Sequence, residues 1–225
     1  MLNRPQPRAS TVWIVRHGNR KDFEDPEWHR TAVRPYDPPL SEEGRRQARE
    51  TGRRLVRENI THIWSSPFLR CVETAQLIAD EMNGSFKLEE GLSEWLNPEW
   101  FSYRPDTRDP EWLQRRYSRL DTGYESAVRA TFPETRSQML ERVGRAVDRL
   151  VNLEHGNILL VGHGASVQGS VARLLEVDLR EKGDLLLSIP CCSLVRLNRE
   201  KASWSLELKA DTAHLSQVNS GQRFI

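Results

Sequence analysis

Three cysteines in 225 residues, Cys71, Cys191 and Cys192, are too few and too unevenly spaced to build a disulfide framework. That scarcity excludes the small stapled secreted scaffold and points to a reducing compartment, where thiols pack as small apolar groups. No apolar run approaches the roughly 20 residues that a membrane helix needs, so no membrane partner is expected. Met1 to Ser10 holds arginines and prolines but no apolar signal core, and export is not expected. Charge of one sign is missing too: Lys+Arg 33 against Asp+Glu 32 leaves a formal +1. Nucleic-acid affinity comes largely from a net basic face, so that partner class is set aside. No repeat or low-complexity tract is present. No metal is expected either, because His155 and His163, the nearest approach to ligand spacing, lack a Cys or carboxylate grouping to complete a site. A cytoplasmic, globular chain is what these absences leave.

What the chain does contain is a series of short apolar runs that stop at polar residues. Thr11 to Val15 stops at Arg16, Ile60 to Trp64 ends in Ser65-Ser66-Pro67, and Ile158 to Val161 ends in Gly162-His163-Gly164. None of them alternates, which predicts strands buried on both faces, as in a parallel sheet. Helical sequence follows each. Ser41 to Glu58 carries Gly44, Ala48, Thr51 and Leu55 as a narrow stripe beneath Arg45, Arg46, Arg49, Arg53, Arg54 and Arg57, a run read as a solvated helix face. Ser66 as N-cap and Pro67 at the first helical position predict a helix through Leu69, Val72, Leu77 and Ile78. Ser137 to Leu153 is a cleaner amphipathic helix, with Leu140, Val143, Val147, Leu150 and Val151 on one face. Phe86 to Glu89 is a short strand-like piece, and Ser193–Leu197 with Ser203–Leu208 form a strand pair in the tail. The resulting fold class is α/β, a three-layer αβα sandwich with a mostly parallel central sheet and one reversed edge strand, in a single domain over 1–225. Two stretches break the alternation. Asn19 to Pro39 reads as a long polar loop, and about 96–133 mixes aromatics with many charges and reads as an inserted, partly helical cap.

In an open parallel sheet, ligands sit beyond the carboxyl ends of the strands. Arg16-His17 and His163 occupy such ends, and Arg70 lies one turn into the helix after a third strand. Two histidines and several arginines at one rim suit a phosphoryl group, since the guanidinium fork matches phosphate oxygens and helix N-termini add free N–H groups. Three segments sharpen this reading: Val15-Arg16-His17-Gly18, Ser65-Ser66-Pro67-Phe68-Leu69-Arg70-Cys71-Val72-Glu73-Thr74-Ala75, and Val161-Gly162-His163-Gly164. In that order they resemble the signature of the histidine phosphatase superfamily, which holds the cofactor-dependent phosphoglycerate mutases and many phosphatases. The likeness runs from about Val12 to Cys192. Arg20, the run Asp37-Pro38-Pro39-Leu40-Ser41, Gly91-Leu92-Ser93-Glu94-Trp95 and Ile189-Pro190-Cys191-Cys192-Ser193 are similar to the suppressor-of-T-cell-receptor-signalling phosphatases within it. The cap and the N-terminal loop depart from that branch in length and composition.

The resemblance implies a phosphomonoesterase working through a phosphohistidine on His17. Arg16, Arg70 and His163 would bind the non-bridging oxygens, with Arg20 as a further contact and His163 also part of the catalytic set. Glu94 would donate the proton to the leaving oxygen, in competition with Glu89, Glu90 and Glu99. No cofactor is implied. The substrate would be a small-molecule phosphate ester or a phosphotyrosine-type ester, and a homodimer is compatible, because such phosphatases can be dimeric. Two other functions compete. A mutase would return the phosphoryl group to another hydroxyl, but Asn19-Arg20 and Glu94-Trp95 differ from the mutase pattern. A phosphate-binding scaffold with vestigial catalysis would keep the pocket without turnover. His29, His62, His155 and His214 have no motif support and read as surface or satisfied interior residues.

Overall fold

The computed structural model describes residues 9–153, 156–186 and 188–218; His155 and positions 1–8 of the N-terminal segment lie outside the described residues. Six strands form one sheet: β1 (Ala9–Arg16), β2 (Ile60–Ser65), β3 (Lys87–Leu88), β4 (Gly156–Gly162), β5 (Leu194–Glu200) and β6 (Ser203–Asp211). The helices are α1 (Trp28–Thr31), α2 (Glu42–Leu55), α3 (Leu69–Met82), α4 (Pro110–Gln114), α5 (Arg136–Leu153), α6 (Gly164–Leu174) and α7 (Leu179–Lys182). Strand order is β3-β2-β4-β1-β5-β6. The first four in that order run parallel, whereas β5 is antiparallel to both β1 and β6. One strand is reversed, as expected, but it stands one place in from the edge. The two strands of a hairpin run antiparallel, so with β5 reversed against β1, β6 returns to the common direction, and it forms the edge.

β1 shows why its sequence does not alternate. Val12 and Ile14 pack against residues of α5 and α6, while Trp13 and Val15 pack against α3 and Leu55 of α2. All four are buried, so both faces of the strand carry apolar side chains and the sheet is covered by a helical layer on each side. The arginine run on α2 lies largely on its outer face, where Arg46, Arg49 and Arg53 are exposed, as is Arg57 just beyond its end. Among the described residues, no helix is long and apolar enough to cross a membrane.

Two helix starts set the site. Ser41 caps α2, its hydroxyl accepting from the Gly44 N–H at 3.1 Å. α3, by contrast, begins at Leu69 rather than at Pro67, because Phe68 is extended and offers no side-chain cap. The open Leu69 N–H is taken instead by Asp37 Oδ1 at 2.7 Å, a residue far away in sequence. Ser66 Oγ accepts the preceding Phe68 N–H, at 3.4 Å. Within 96–133 the only regular helix is α4; the rest is irregular chain tied down by side chains. Glu89 is the main tie, its buried carboxylate accepting from Tyr124 Oη at 2.6 Å and from the Ala127 and Val128 N–H groups at 2.9 and 3.1 Å.

Candidate active site

The carboxyl ends of β1 and β4 lie side by side, and the His17 N–H donates to the Gly162 carbonyl at 2.9 Å. Next along the chain, the backbone turns tightly against α2. A Cβ on Gly18 would stand 2.6 Å from the Gly44 carbonyl oxygen, so both glycines are required by backbone approach rather than by φ. The Gly18 N–H donates to Thr74 Oγ1 at 3.1 Å. Nδ1 of His17 lies 2.8 Å from the Gly18 carbonyl. A carbonyl can only accept, so Nδ1 carries the proton and Nε2 keeps a bare lone pair.

His163 is oriented from both ends. Its Nδ1 lies 3.1 Å from Nη2 of Arg70, which can only donate. The ring proton therefore sits on Nε2 and is donated to Ser66 Oγ at 2.8 Å. The two imidazole centroids are 5.3 Å apart, edge to face. Burial pushes both histidines well below the ordinary imidazole value, and the Arg70, Arg16 and Arg20 charges push the same way. Both rings are neutral. Cys71 Sγ comes within 3.4 Å of His163 Nε2, but burial raises its thiol to about 12, so it is no competing nucleophile.

Arg70 is 1% exposed and stacks over the Phe68 ring at 4.5 Å. Burial pulls its guanidinium down to about 10, with the Arg20 charge adding to the fall. Nη2 meets His163, while Nε and Nη1 are buried with no hydrogen-bond partner among the described residues. A buried cation with unmet donors is costly by itself and suits an anion. Arg16 Nη1 donates to the Ile189 carbonyl at 2.6 Å, which ties its side chain to the segment before Cys191. Arg20 is not a solvated loop side chain. It is 6% exposed, pairs with Asp22 through two hydrogen bonds, one of them from Nε at 2.8 Å, and lies over the Phe23 ring at 4.6 Å.

Glu94 completes the group, with Oε2 at 3.5 Å from His163 Nδ1 and 3.7 Å from Arg70 Nη2. Its carboxylate competitors lie elsewhere: Glu89 ties down 124–128, Glu90 pairs with Arg129 at 2.6 Å, and Glu99 is exposed. The other described histidines stand apart. His29 faces Asp22 at 3.6 Å, His62 packs on Trp64, and His214 meets Thr51 Oγ1 at 3.0 Å behind the His17 loop. Beside the site, sharing Phe68 and Ser93 with it, is a cavity of about 480 Å³. Leu88, Leu96, Leu120 and Tyr124 give it an apolar wall, with several arginines and carboxylates among its other lining residues. None of the six site residues lines it. Among the described residues, no cluster of His, Cys, Asp and Glu could hold a metal. Sequence reasoning missed Ser66, Thr74, Asp37 and Arg142 as neighbours of this site. Ser66, Thr74 and Asp37 lie inside the segments that carry the resemblance, and Arg142 left a local signal of its own, a charge three residues after Met139 on the buried face of α5.

A mixed sheet with two neutral, buried histidines at adjacent strand ends, ringed by arginines, is the arrangement of a histidine phosphatase. The family model for the histidine phosphatase superfamily (branch 1) matches residues 12–212, and the chain belongs to that superfamily. It is 32% identical over 203 residues to human Ubiquitin-associated and SH3 domain-containing protein A, covering 83% of this chain and 29% of that relative's length. It is also 32% identical over 213 residues to a probable phosphoglycerate mutase GpmB of Yersinia pestis, covering 91% of this chain and 94% of the relative. The crystal structure of an ecdysone phosphate phosphatase from Bombix mori superposes with a TM-score of 0.76 at 25% identity, covering 92% of this chain and 95% of the other. A mycobacterial glucosyl-3-phosphoglycerate phosphatase shares the fold at 21% identity, with a TM-score of 0.66 over 91% of this chain and all of the other.

Proposed function

We propose that this protein is a phosphomonoesterase that hydrolyses a small-molecule phosphate ester in two steps through His17. The observation that carries the reading is a neutral imidazole with a bare Nε2, coupled to a buried guanidinium that holds two unmet donors. In the first step the Nε2 lone pair attacks phosphorus, the ester P–O bond breaks, and the leaving oxygen takes a proton from Glu94. Nδ1 keeps its proton on the Gly18 carbonyl, so the phosphorylated ring is cationic and becomes a good leaving group. In the second, Glu94 accepts a proton from water, the water oxygen attacks phosphorus, and the P–N bond breaks. Arg16, Arg20 and Arg70 hold the non-bridging oxygens throughout, where fixed donors in a dry site act most strongly, and His163 joins them in the tautomer that carries its proton on Nδ1. No cofactor enters either step.

The cavity beside Phe68 has room for a bulky alcohol with one apolar face toward Leu88, Leu96, Leu120 and Tyr124 and polar groups toward its charged lining, and segment 96–133 serves as a cap over it in a single-domain chain. The structural neighbour named as an ecdysone phosphate phosphatase supports that choice. A phosphotyrosine-type ester fits the same wall, and a homodimer and a cytoplasmic setting complete the reading, the latter supported by three buried, unpaired thiols. The mutase relative supports a second outcome, in which the phosphoryl group returns to substrate. Comparing phosphate release with phosphoglycerate isomerisation separates the two. The decisive test is a rapid quench during turnover of p-nitrophenyl phosphate. Acid-labile, alkali-stable phosphate is expected on His17, and none in His17→Ala; recovery of the label on serine or cysteine would refute the mechanism.

A further inference from the structure

α5 buries an apolar face that includes Met139, Val143, Val147 and Leu150, and one charged side chain, Arg142, lies among them at 3% exposure. A cation there must be fully satisfied or it destabilises the core. It is satisfied by one particular loop. Nη1 donates to the Gly91 carbonyl at 2.9 Å and the Ser93 carbonyl at 3.2 Å, and Nη2 donates to the Glu94 carbonyl at 3.0 Å. Glu134 neutralises the charge, accepting from Nε at 3.0 Å and from Nη2 at 2.5 Å. The same carboxylate accepts the Leu96 N–H at 3.0 Å, and the Glu134 carbonyl accepts the Trp95 indole N–H at 3.0 Å. The backbone from 93 to 96, which follows a single 3-10 turn at Glu90–Leu92 and belongs to no strand or helix, is therefore wrapped around one buried ion pair.

The Glu94 side chain depends on that wrapping. Within the loop Oε1 accepts the Trp95 N–H at 3.0 Å, and Oε2 reaches toward His163 and Arg70. The place of Oε2 follows from the place of the backbone that Arg142 gathers. We infer that Arg142, neutralised by Glu134, is a positioning residue that sets the reach of the Glu94 carboxyl over the leaving oxygen. The inference rests on Glu94 being the proton donor, as proposed above. A carboxyl that has lost its place still leaves His17 and the phosphate donors intact, so the damage falls on substrates whose leaving oxygen must be protonated as it departs.

The test compares benzyl phosphate, whose alkoxide needs the proton, with p-nitrophenyl phosphate, whose phenolate leaves without it. In Arg142→Lys, kcat/KM for benzyl phosphate is expected to fall roughly 10²-fold, against less than about tenfold for p-nitrophenyl phosphate, with vanadate inhibition unchanged. Glu134→Gln, which keeps the cation and the size of its partner, should show the same bias more weakly; it serves if the lysine variant does not fold. An equal loss on both substrates, or a change confined to thermal stability, would return the ion pair to a purely structural role. Glu94→Gln separates the two layers of the argument. If it shows no bias toward benzyl phosphate, the acid assignment fails. If it shows the bias and folded Arg142→Lys or Glu134→Gln does not, the positioning inference alone is overturned. In the Glu94→Gln background, Arg142→Lys should add no further bias.

Discussion

Replacing Arg70 by methionine removes the cation and both unmet donors while keeping an unbranched side chain in the stack over Phe68. Hydrogen bonds to charged groups contribute about 1.5–3 kcal/mol each, so losing two from Nε and Nη1 weakens phosphate binding by about 3–6 kcal/mol. That corresponds to a fall in kcat/KM of roughly 10²–10⁴-fold. Binding can be read without turnover, by the thermal shift that phosphate produces. At a phosphate concentration of about 100 Kd, the wild-type protein gains about 2.7 kcal/mol, and a chain of this size rises by roughly 5–10 °C. With the Kd raised about 10²-fold, the same phosphate stabilises Arg70→Met by only about 0.4 kcal/mol, a rise of roughly 1 °C. Arg70→Lys should fall between, because one ammonium cannot replace a fork. A methionine variant that keeps activity within about tenfold of wild type, or an undiminished phosphate shift, would refute the reading of Arg70 as the central phosphate donor.

Arg20→Ala should raise the vanadate inhibition constant about tenfold while turnover persists; an unchanged constant would leave Arg20 with a purely structural role beside Asp22. Gly18→Ala drives a Cβ into the Gly44 backbone and should cost about 3 kcal/mol in urea unfolding; a loss below about 1 kcal/mol would show that the loop can yield. Asp37 is raised to about 6, first by burial, against the Leu69 N–H and the Arg70, Arg108 and Arg34 charges. A raised carboxyl binds its proton more tightly in the folded state, so its relative stabilisation is complete below the ordinary carboxylate range and lost as pH rises through about 6. Asp37→Asn, which keeps an acceptor for Leu69, should thus be about 3 kcal/mol more stable than wild type near pH 8, with the gain gone near pH 4. A gain independent of pH would contradict this.

β1, β2 and β4 were legible because burial on both faces leaves a continuous apolar run, and their ends located the rim where His17 and His163 meet. The start of α3 was misread because its capping acceptor, Asp37, comes from another segment, and only folding shows that Ser66 belongs to His163. The chain over 96–133 gave no period because it is fastened by a carboxylate collecting backbone donors rather than by a repeating apolar face. Arg142 stands on the apolar stripe of α5, and the carbonyls of Gly91 and Glu94 that satisfy it lie about fifty residues earlier, beyond any local pattern. The hairpin was visible, but the position of its reversed strand required the sheet order.

The place of β1 in that order has a consequence for how the chain acquires its shape. β1 is hydrogen-bonded on one side to β4 and on the other to β5, partners well over a hundred residues later. Pairings of such long range close slowly, because loop entropy is lost before they are rewarded. During synthesis the first strand must wait for most of the chain to emerge. His17 is held to Gly162, the last residue of β4, by the hydrogen bond that closes this pairing. The centre of the sheet and the paired histidines therefore form in one late event, and an N-terminal intermediate lacking β4 has neither.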